Sequence, residues 1–508
     1  MPVRITGLGS GLDIESLVKQ QMQAKRIPID QKKQKVTWLE WQRDAYRDMN
    51  TKVSSFVNQA RKLTFESTFL AKTAGLSTED AQKVTVKPTP GTVAGNFSLE
   101  VKQIAKNAML SSSGTLGYAS NPTQAVTSTP VNLTVTGELG SKAVSIAAGD
   151  NINQIISKIN AESASTGVKA TYDKLTDKMT LISTQTGTAA KVQLDADDSN
   201  FLGTLKLAVA GATTTGTITG QNAKVNFNGM GDTEVRSNSF TLSGINFTLL
   251  KDPGATSYTI NSSINADVDS VVETIKGVFE EYNNLIGEMN TKVGETRYRN
   301  YQPLTDSQRS EMSETDIELW EGKAKSGLLR NDSIMRNGLN GMRRNLAESV
   351  SGLAAGTYDS LADIGITTVP SNGKNEYGYQ ENGKIYIDEG KLREALSTAP
   401  DQVAQLFTKD GARDSNNKLI AGSDAGIGTR LFETLSKELL PGLTAKTQII
   451  PTKSSIVSQI DDYNNQIYKA ESRLSEYEQN LYSQYSKLET SLNKLNSQGS
   501  YLSSFFQS

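Results

Sequence analysis

The sequence predicts a multidomain α+β protein, with terminal α-helical coiled coils and a helical base formed by both chain ends. Two β-rich lobes are inserted between them. Three observations carry this expectation. Apolar residues recur at heptad spacing near the N-terminus, from Tyr46 to Leu63. Serine, threonine, glycine and valine dominate from about residue 83 to 266. Heptad spacing then returns and runs almost unbroken from Ile456 to Leu502. The 508 residues exceed one ordinary core, and such a length corresponds to about three or four domains.

The chain opens GLGSGLDIESLV, with Gly7, Gly9 and Gly11 ahead of a helical pattern. A dinucleotide-binding turn needs a preceding strand, a third glycine at its proper spacing and a later acidic residue. Here Leu12 stands where that glycine belongs, and no Gly-Lys-Ser/Thr follows to make a phosphate loop. The glycines read instead as a pliable lead, disordered in the free chain and ordered only against a partner. Asp13 is the expected N-cap and Glu15 complements the helix dipole. Ile14, Leu17, Val18 and Met22 share one face, and Pro28 ends this helix or opens the next.

From Tyr46 the apolar steps are 3, 4, 3, 4, 3 through Met49, Val53, Phe56, Ala60 and Leu63. Gln42 interrupts the same seam between Leu39 and Tyr46, and Gly75 is the expected helix stop. Trp38 and Trp41 flank Leu39; buried packing and an intersubunit anchor are the two readings. Then VTVKPTPGTVAGNFSLEVKQI reads strand, turn, strand. Residues 146–183 read strand, short helix, strand, strand, with Asp150 as N-cap and Ile152, Ile155, Ile156 and Ile159 as the buried face. The acidic run of Asp195, Asp197 and Asp198 lacks the glycine and distal glutamate of a calcium loop and reads as solvated.

Helix returns at about Asn265: Val268, Val272, Ile275, Phe279, Tyr282, Ile286, Met289 and Val293 step 4, 3, 4, 3, 4, 3, 4. A mixed segment follows, with a helix around 331–348 and a strand pair near TTVPSNG and GKIYID. The last seam runs Ile456, Ile460, Tyr463, Ile467, Ala470, Leu474, Tyr477, Leu481. The next step, to Tyr485, is 4 instead of 3, a stutter that locally unwinds a left-handed supercoil. The seam resumes through Leu488, Leu492, Leu495 and Leu502. Both chain ends are therefore expected to pair, with the termini at one end of the molecule and the β lobes at the other.

Composition narrows the function. Histidine and cysteine are both absent. That removes histidine-based acid–base and metal chemistry, thiolate sites and disulfides. A formal charge of −2 with no basic stripe argues against nucleic acid. No window reaches the ~20 apolar residues of a membrane span, and no secretory h-region precedes the first helix. No enzyme, cofactor or metal site is expected.

Several segments together resemble the bacterial flagellar filament cap (hook-associated protein 2) family. GLGSGLDIESLV is similar to its N-terminal signature. DNINQIISKINAESASTGVKATYDKLTDKMTLIS resembles the flagellin/hook IN motif. SGLLRNDSIMRNGLNGMR, LADIGITTVPSNGKNEYGYQENGKIYIDEGKLREALSTAPDQVAQLF, GIGTRLFETL and the segment from ESRLSEYEQN onward resemble its C-terminal region. The resemblance implies a leg region of 1–42 with 465–508 and a helical base of 43–76 with 266–464. It implies a β-rich domain of 77–108 with 218–265 and a distal β lobe of 109–217.

The resemblance further implies a ring of identical copies, a pentamer, seated on the distal end of the filament. Flagellin and a flagellar type III export chaperone are the implied partners, and export by that apparatus to the filament tip is the implied route. Leu8, Leu12, Asp13, Ile14 and Leu17, with Leu488, Leu492, Leu495, Leu502, Phe505 and Phe506, are the expected leg contacts. Two alternatives are a tip adhesin that binds host glycan or mucin through the β lobes, and a hook–filament junction protein.

Overall fold

The computed structural model describes residues 13–354, 356–369, 383–420, 424–448 and 455–506, with side chains to 503. The chain divides into two compact units: residues up to Phe69 with those from Asp269 onward, and Leu70–Val268.

In the first unit, the N-terminal helix Ile14–Ala60 begins at Asp13, whose carboxylate accepts the Ser16 N–H at 2.9 Å. Pro28 neither ends nor opens a helix but lies inside this one. Its ring costs one hydrogen bond to Ala24, and both residues are exposed, so water serves the freed carbonyl. Nor does the helix reach Gly75. It ends at Ala60 and tightens into a 3₁₀ turn, Arg61–Thr64, while Gly75 closes a β-strand, Lys72–Gly75. Packing sets this early stop, because the Leu63 backbone lies so close to Gly428 that a Cβ there would stand 2.4 Å from the Leu63 carbonyl oxygen.

Leu39, Tyr46, Met49, Val53, Phe56, Ala60 and Leu63 are all buried. Phe56 meets Tyr282 of the helix Val268–Gly294 at a ring distance of 6.1 Å. The polar seam residue Gln42 donates to the Leu328 carbonyl at 2.9 Å. Tyr46 donates to Asp332 at 2.5 Å, and Asp332 caps the helix Ser333–Ala347 through the Met335 N–H. Trp38 and Trp41 are half-buried and serve cations of their own chain. Lys35 and Arg297 lie 4.1 and 4.7 Å from the Trp38 ring, and Lys325 lies 4.8 Å from Trp41. Burial, then the Arg297 charge, pulls the Lys35 ammonium below its ordinary range.

The glycines of the helix Ser333–Ala347 admit a neighbour at close range. A Cβ on Gly338 would stand 2.7 Å from Leu439, and one on Gly341 2.9 Å from Thr434. Thr434–Leu439 is a π-helical stretch leading into Pro441. Pro441 cannot donate to the carbonyl one turn back, which favours the wider π ring there.

The second unit holds two hydrophobic clusters. The first lies under a five-stranded antiparallel sheet ordered Lys72–Gly75, Tyr258–Ala266, Gly95–Gln103, Ala223–Phe227, Asp232–Val235. Within it Phe97 stacks on Phe227 and Phe247 meets both edge-on, at ring distances of 5.7–6.1 Å. The second cluster sits between the sheet containing Val131–Gly137, the sheet containing Lys178–Thr186, and the helix Ile152–Ala161. That helix is capped by Asn151, not Asp150. Asn151 and Gln154 form a reciprocal capping box, and the extended backbone at Asn151 aims its amide at Gln154. Asp150 instead accepts the Ala147 N–H at 2.7 Å and pairs with Lys158. Ile152, Ile155 and Ile159 are buried, whereas Ile156 is half-buried. Asp197 and Asp198 accept the Asn132 and Asn200 N–H groups at 2.9 and 2.8 Å, so both close loops.

Asp177 anchors the 112–119 loop from a left-handed position, φ 52°. It accepts from Tyr172 at 2.6 Å and from the Gly117 and Tyr118 N–H groups at 2.5 and 3.1 Å. The Tyr172 hydrogen bond, with the backbone donors, holds its carboxyl below the usual carboxylate range. Burial, then the same bond, pushes the Tyr172 hydroxyl up to about 12. A depressed carboxylate stabilises fully above its unfolded-state range and loses that contribution as pH falls through the folded-state value. Asp177→Asn is therefore expected to melt earlier than the parent near neutrality, with the gap steady down to about pH 5 and narrowing only below about pH 4; calorimetry from pH 7 to pH 3 checks it. Asn151→Ala is expected to cost about 1 kcal/mol in the same lobe, while Asp150→Ala leaves the capping box intact, as amide exchange along Ile152–Ala161 would report.

Candidate assembly surface on the paired terminal helices

The C-terminal helix, Ile456–Phe506, has 51 residues and a length of about 76 Å. It runs antiparallel to the N-terminal helix. Lys32 donates to Gln466 at 3.0 Å, Lys33 pairs with Glu471 at 2.7 Å, Lys25 lies 5.5 Å from the Tyr477 ring, and Gln21 donates to Tyr485 at 3.1 Å. Most of these ties are exposed, and each contributes a few tenths of a kcal/mol, on the order of 0.2–1.

Apolar burial does more. Ile460, Ile467 and Leu481 of the seam are buried, and Tyr463, Leu474, Tyr477 and Tyr485 are half-buried. Ile14, Val18, Met22 and Leu481 form a cluster, with Leu474, Tyr477, Tyr482 and Tyr485 packed around it. Leu17 is half-buried beside it. Tyr482 lies off the heptad positions read from the sequence. The stutter at Tyr485 is the signal for it, since a four-residue step turns the helix and brings both tyrosines to the same cluster.

Beyond Tyr485 the seam opens. Leu492 is half-buried, but Leu488, Leu495 and Leu502 are 46%, 61% and 57% exposed, with Tyr501 at 66%. The register explains the exposure of Leu495, Tyr501 and Leu502. Gln21 stands beside Tyr485, so Asp13 stands beside a residue near 493, and the C-terminal helix continues for about 20 Å past it. Leu8 and Leu12 lie outside the described residues, as do the side chains of Phe505 and Phe506, although both phenylalanines sit within the helix.

A second opening interrupts the paired part. Pro28, Ile29, Ala470, Leu474 and Tyr477 line a groove of about 320 Å³, with Lys25 and Arg473 at its rim. Ala470 fills a seam position where a larger side chain would close the gap. Sequence reading missed the groove because it depends on which residues the antiparallel register places opposite one another.

A family model described as flagellar hook-associated protein 2 C-terminus matches residues 220–497, and its N-terminus model matches 10–108. A flagellin hook IN motif model matches 131–185. The chain is 30% identical to the flagellar hook-associated protein 2 of Halalkalibacterium halodurans, over 99% of this chain and 100% of that one. It is 24% identical to the flagellar hook-associated protein 2 of Escherichia coli K12, over 99% and 97%. Its fold is similar to the crystal structure of the flagellar cap protein FliD D1-D2-D3 domains from Escherichia coli. That match has a TM-score of 0.54 and 22% identity, and covers 83% of this chain and 99% of that chain.

Leu481→Ala removes the one fully buried C-terminal member of the distal cluster. It is expected to weaken the terminal pair by about 2–3 kcal/mol. Amide exchange should quicken in 14–30 and 470–490 and stay unchanged in the helix Val268–Gly294.

Proposed function

The chain belongs to the flagellar hook-associated protein 2 family, and we propose that it caps the distal end of the bacterial flagellar filament. The observation that carries this reading is the helix Ile456–Phe506. Its exposed leucines continue past the described part of its partner. An apolar edge of this kind suits docking against other helices. A two-helix leg with an open seam provides the edge without exposing the base.

In this proposal identical copies form a ring, a pentamer, whose β-rich lobes and helical bases make a plate. The leg region, 1–42 with 465–508, reaches into the filament end. Flagellin emerges beneath the plate, folds in the sheltered space and is inserted as the cap steps. Stepping favours several modest contacts that can be broken and remade over one large apolar interface. Leu488, Leu495 and Leu502 supply such contacts about two turns apart, and half-buried tyrosines take over where the seam closes. The chain reaches the filament tip by flagellar type III export, with an export chaperone shielding the apolar leg until assembly.

Removing 1–40 and 471–508 is expected to leave a folded core that cannot cap; normal filament growth in cells carrying only that truncation would overturn the reading. A milder pair, Leu495→Glu with Leu502→Glu, should keep the parent melting temperature, because both positions are exposed, yet release unpolymerised flagellin into the medium. Labelled protein should appear at filament tips and not along the shaft.

A further inference from the structure

We infer that residues 1–12 of the same chain cover the open end of the C-terminal seam before assembly. The inference rests on the capping reading above, because it names what holds the leucine strip while no filament is at hand.

Consider first the strip itself. Leu495, Tyr501 and Leu502 are exposed, and from Thr490 to Phe506 the only charged residue is Lys494. Gly499 stands on the same seam, between Leu495 and Leu502. A glycine inside a helix costs stability, and nothing lies within 4 Å of the place its Cβ would take. A side chain is thus missing where the seam is open, so another backbone can lie directly against the helix there.

The chain supplies such a backbone at the right place. Twelve residues precede Asp13, and Arg4 is the only charged side chain among them. Leu8 sits between Gly7 and Gly9, and Leu12 follows Gly11. Asp13 stands beside a residue near 493, so Leu495 and Leu502 lie about 3 and 14 Å further along the C-terminal helix. Leu12 is one residue from Asp13 and Leu8 is five. Five extended residues span up to about 17 Å, so the two leucines reach the two open positions. The glycines beside them carry no Cβ to hold the segment off the helix.

The tether selects this occupant over a second copy. A segment attached by so short a link meets the strip at an effective concentration on the order of 1 mM, which a dilute second copy does not match. The pliable lead read from the sequence therefore finds its first partner in its own chain. Any helix that docks on the strip has to displace the segment, and a contact of a few side chains can be displaced.

The absence of cysteine makes the test clean. Gln498→Cys, an exposed position beside Gly499, puts a single thiol on the strip and leaves every leucine in place. Its reaction with a bulky maleimide is timed on the purified full chain, on a chain lacking 2–12, and on the full chain with Leu8→Ser and Leu12→Ser. The full chain is expected to react about tenfold more slowly than the other two, the protection of one modest apolar contact, and equally so at every protein concentration. The serine pair keeps the chain length and the Asp13 cap, so fraying caused by truncation cannot produce that pattern. Equal rates in all three chains would overturn the cover. Protection that appears only as the protein concentration rises would overturn it too, and would make a second copy the occupant. Protection lost on truncation but kept by the serine pair would overturn the leucine contacts. None of these outcomes needs a filament, so each leaves the capping reading standing; labelled protein along filament shafts would overturn capping and leave the protection unchanged.

Discussion

The structure depends on one constraint: the helix that opens the chain must pack against segments that follow residue 268, in the base as well as in the leg. Ile14, Val18 and Met22 are buried only because Leu481 and its tyrosine neighbours, more than 450 residues later, lie against them. Neither helix could hold its apolar face alone in water, since helical stability in proteins comes mainly from tertiary packing. Once the ends are paired, the middle of the chain is an insertion between two anchored points. That arrangement lets Leu70–Val268 form its own sheets and clusters.

The pairing is closed near the base and open toward the chain ends. In the base, Leu39, Met49, Val53 and Phe56 are at most 2% exposed. Their polar neighbours are satisfied as well, Gln42 by a carbonyl and Tyr46 by a capping aspartate. Toward the tip, burial gives way to half-buried tyrosines, then to open leucines. Tyrosine suits the middle ground, because it buries a ring and still bonds water or a side chain. The gradient of exposure along one 51-residue helix thus separates a closed seam from an open one without any change of element.

Much of this was legible as periodicity. A heptad step needs only the local helix geometry, so the burial of Val53, Phe56, Ile275 and Phe279 follows from their spacing. The alternating strands around Leu99, Val101, Leu133 and Val135 follow in the same way. Local signals failed where exposure, a neighbour distant in sequence or the backbone conformation decided the outcome. Pro28 looked like a boundary, yet its lost hydrogen bond faces water. Gly75 looked like a stop, yet the chain turns earlier, at the backbone contact of Leu63 with Gly428. Asp150 and Asn151 both have capping side chains, and only the local backbone selects the second.

Sequence alone determined the order of elements, the faces they bury, the break in the C-terminal seam and the family resemblance, because each is written in residue type and spacing. Tertiary structure decided the register of the two terminal helices, and with it the opening at Ala470 and the exposure of Leu488, Leu495 and Leu502. A heptad repeat matches itself at every seven-residue shift, so periodicity says that a helix pairs but not which residues meet. The register comes from particular contacts, such as Gln21 with Tyr485 and Lys33 with Glu471, and these exist only when both ends of the chain are folded together.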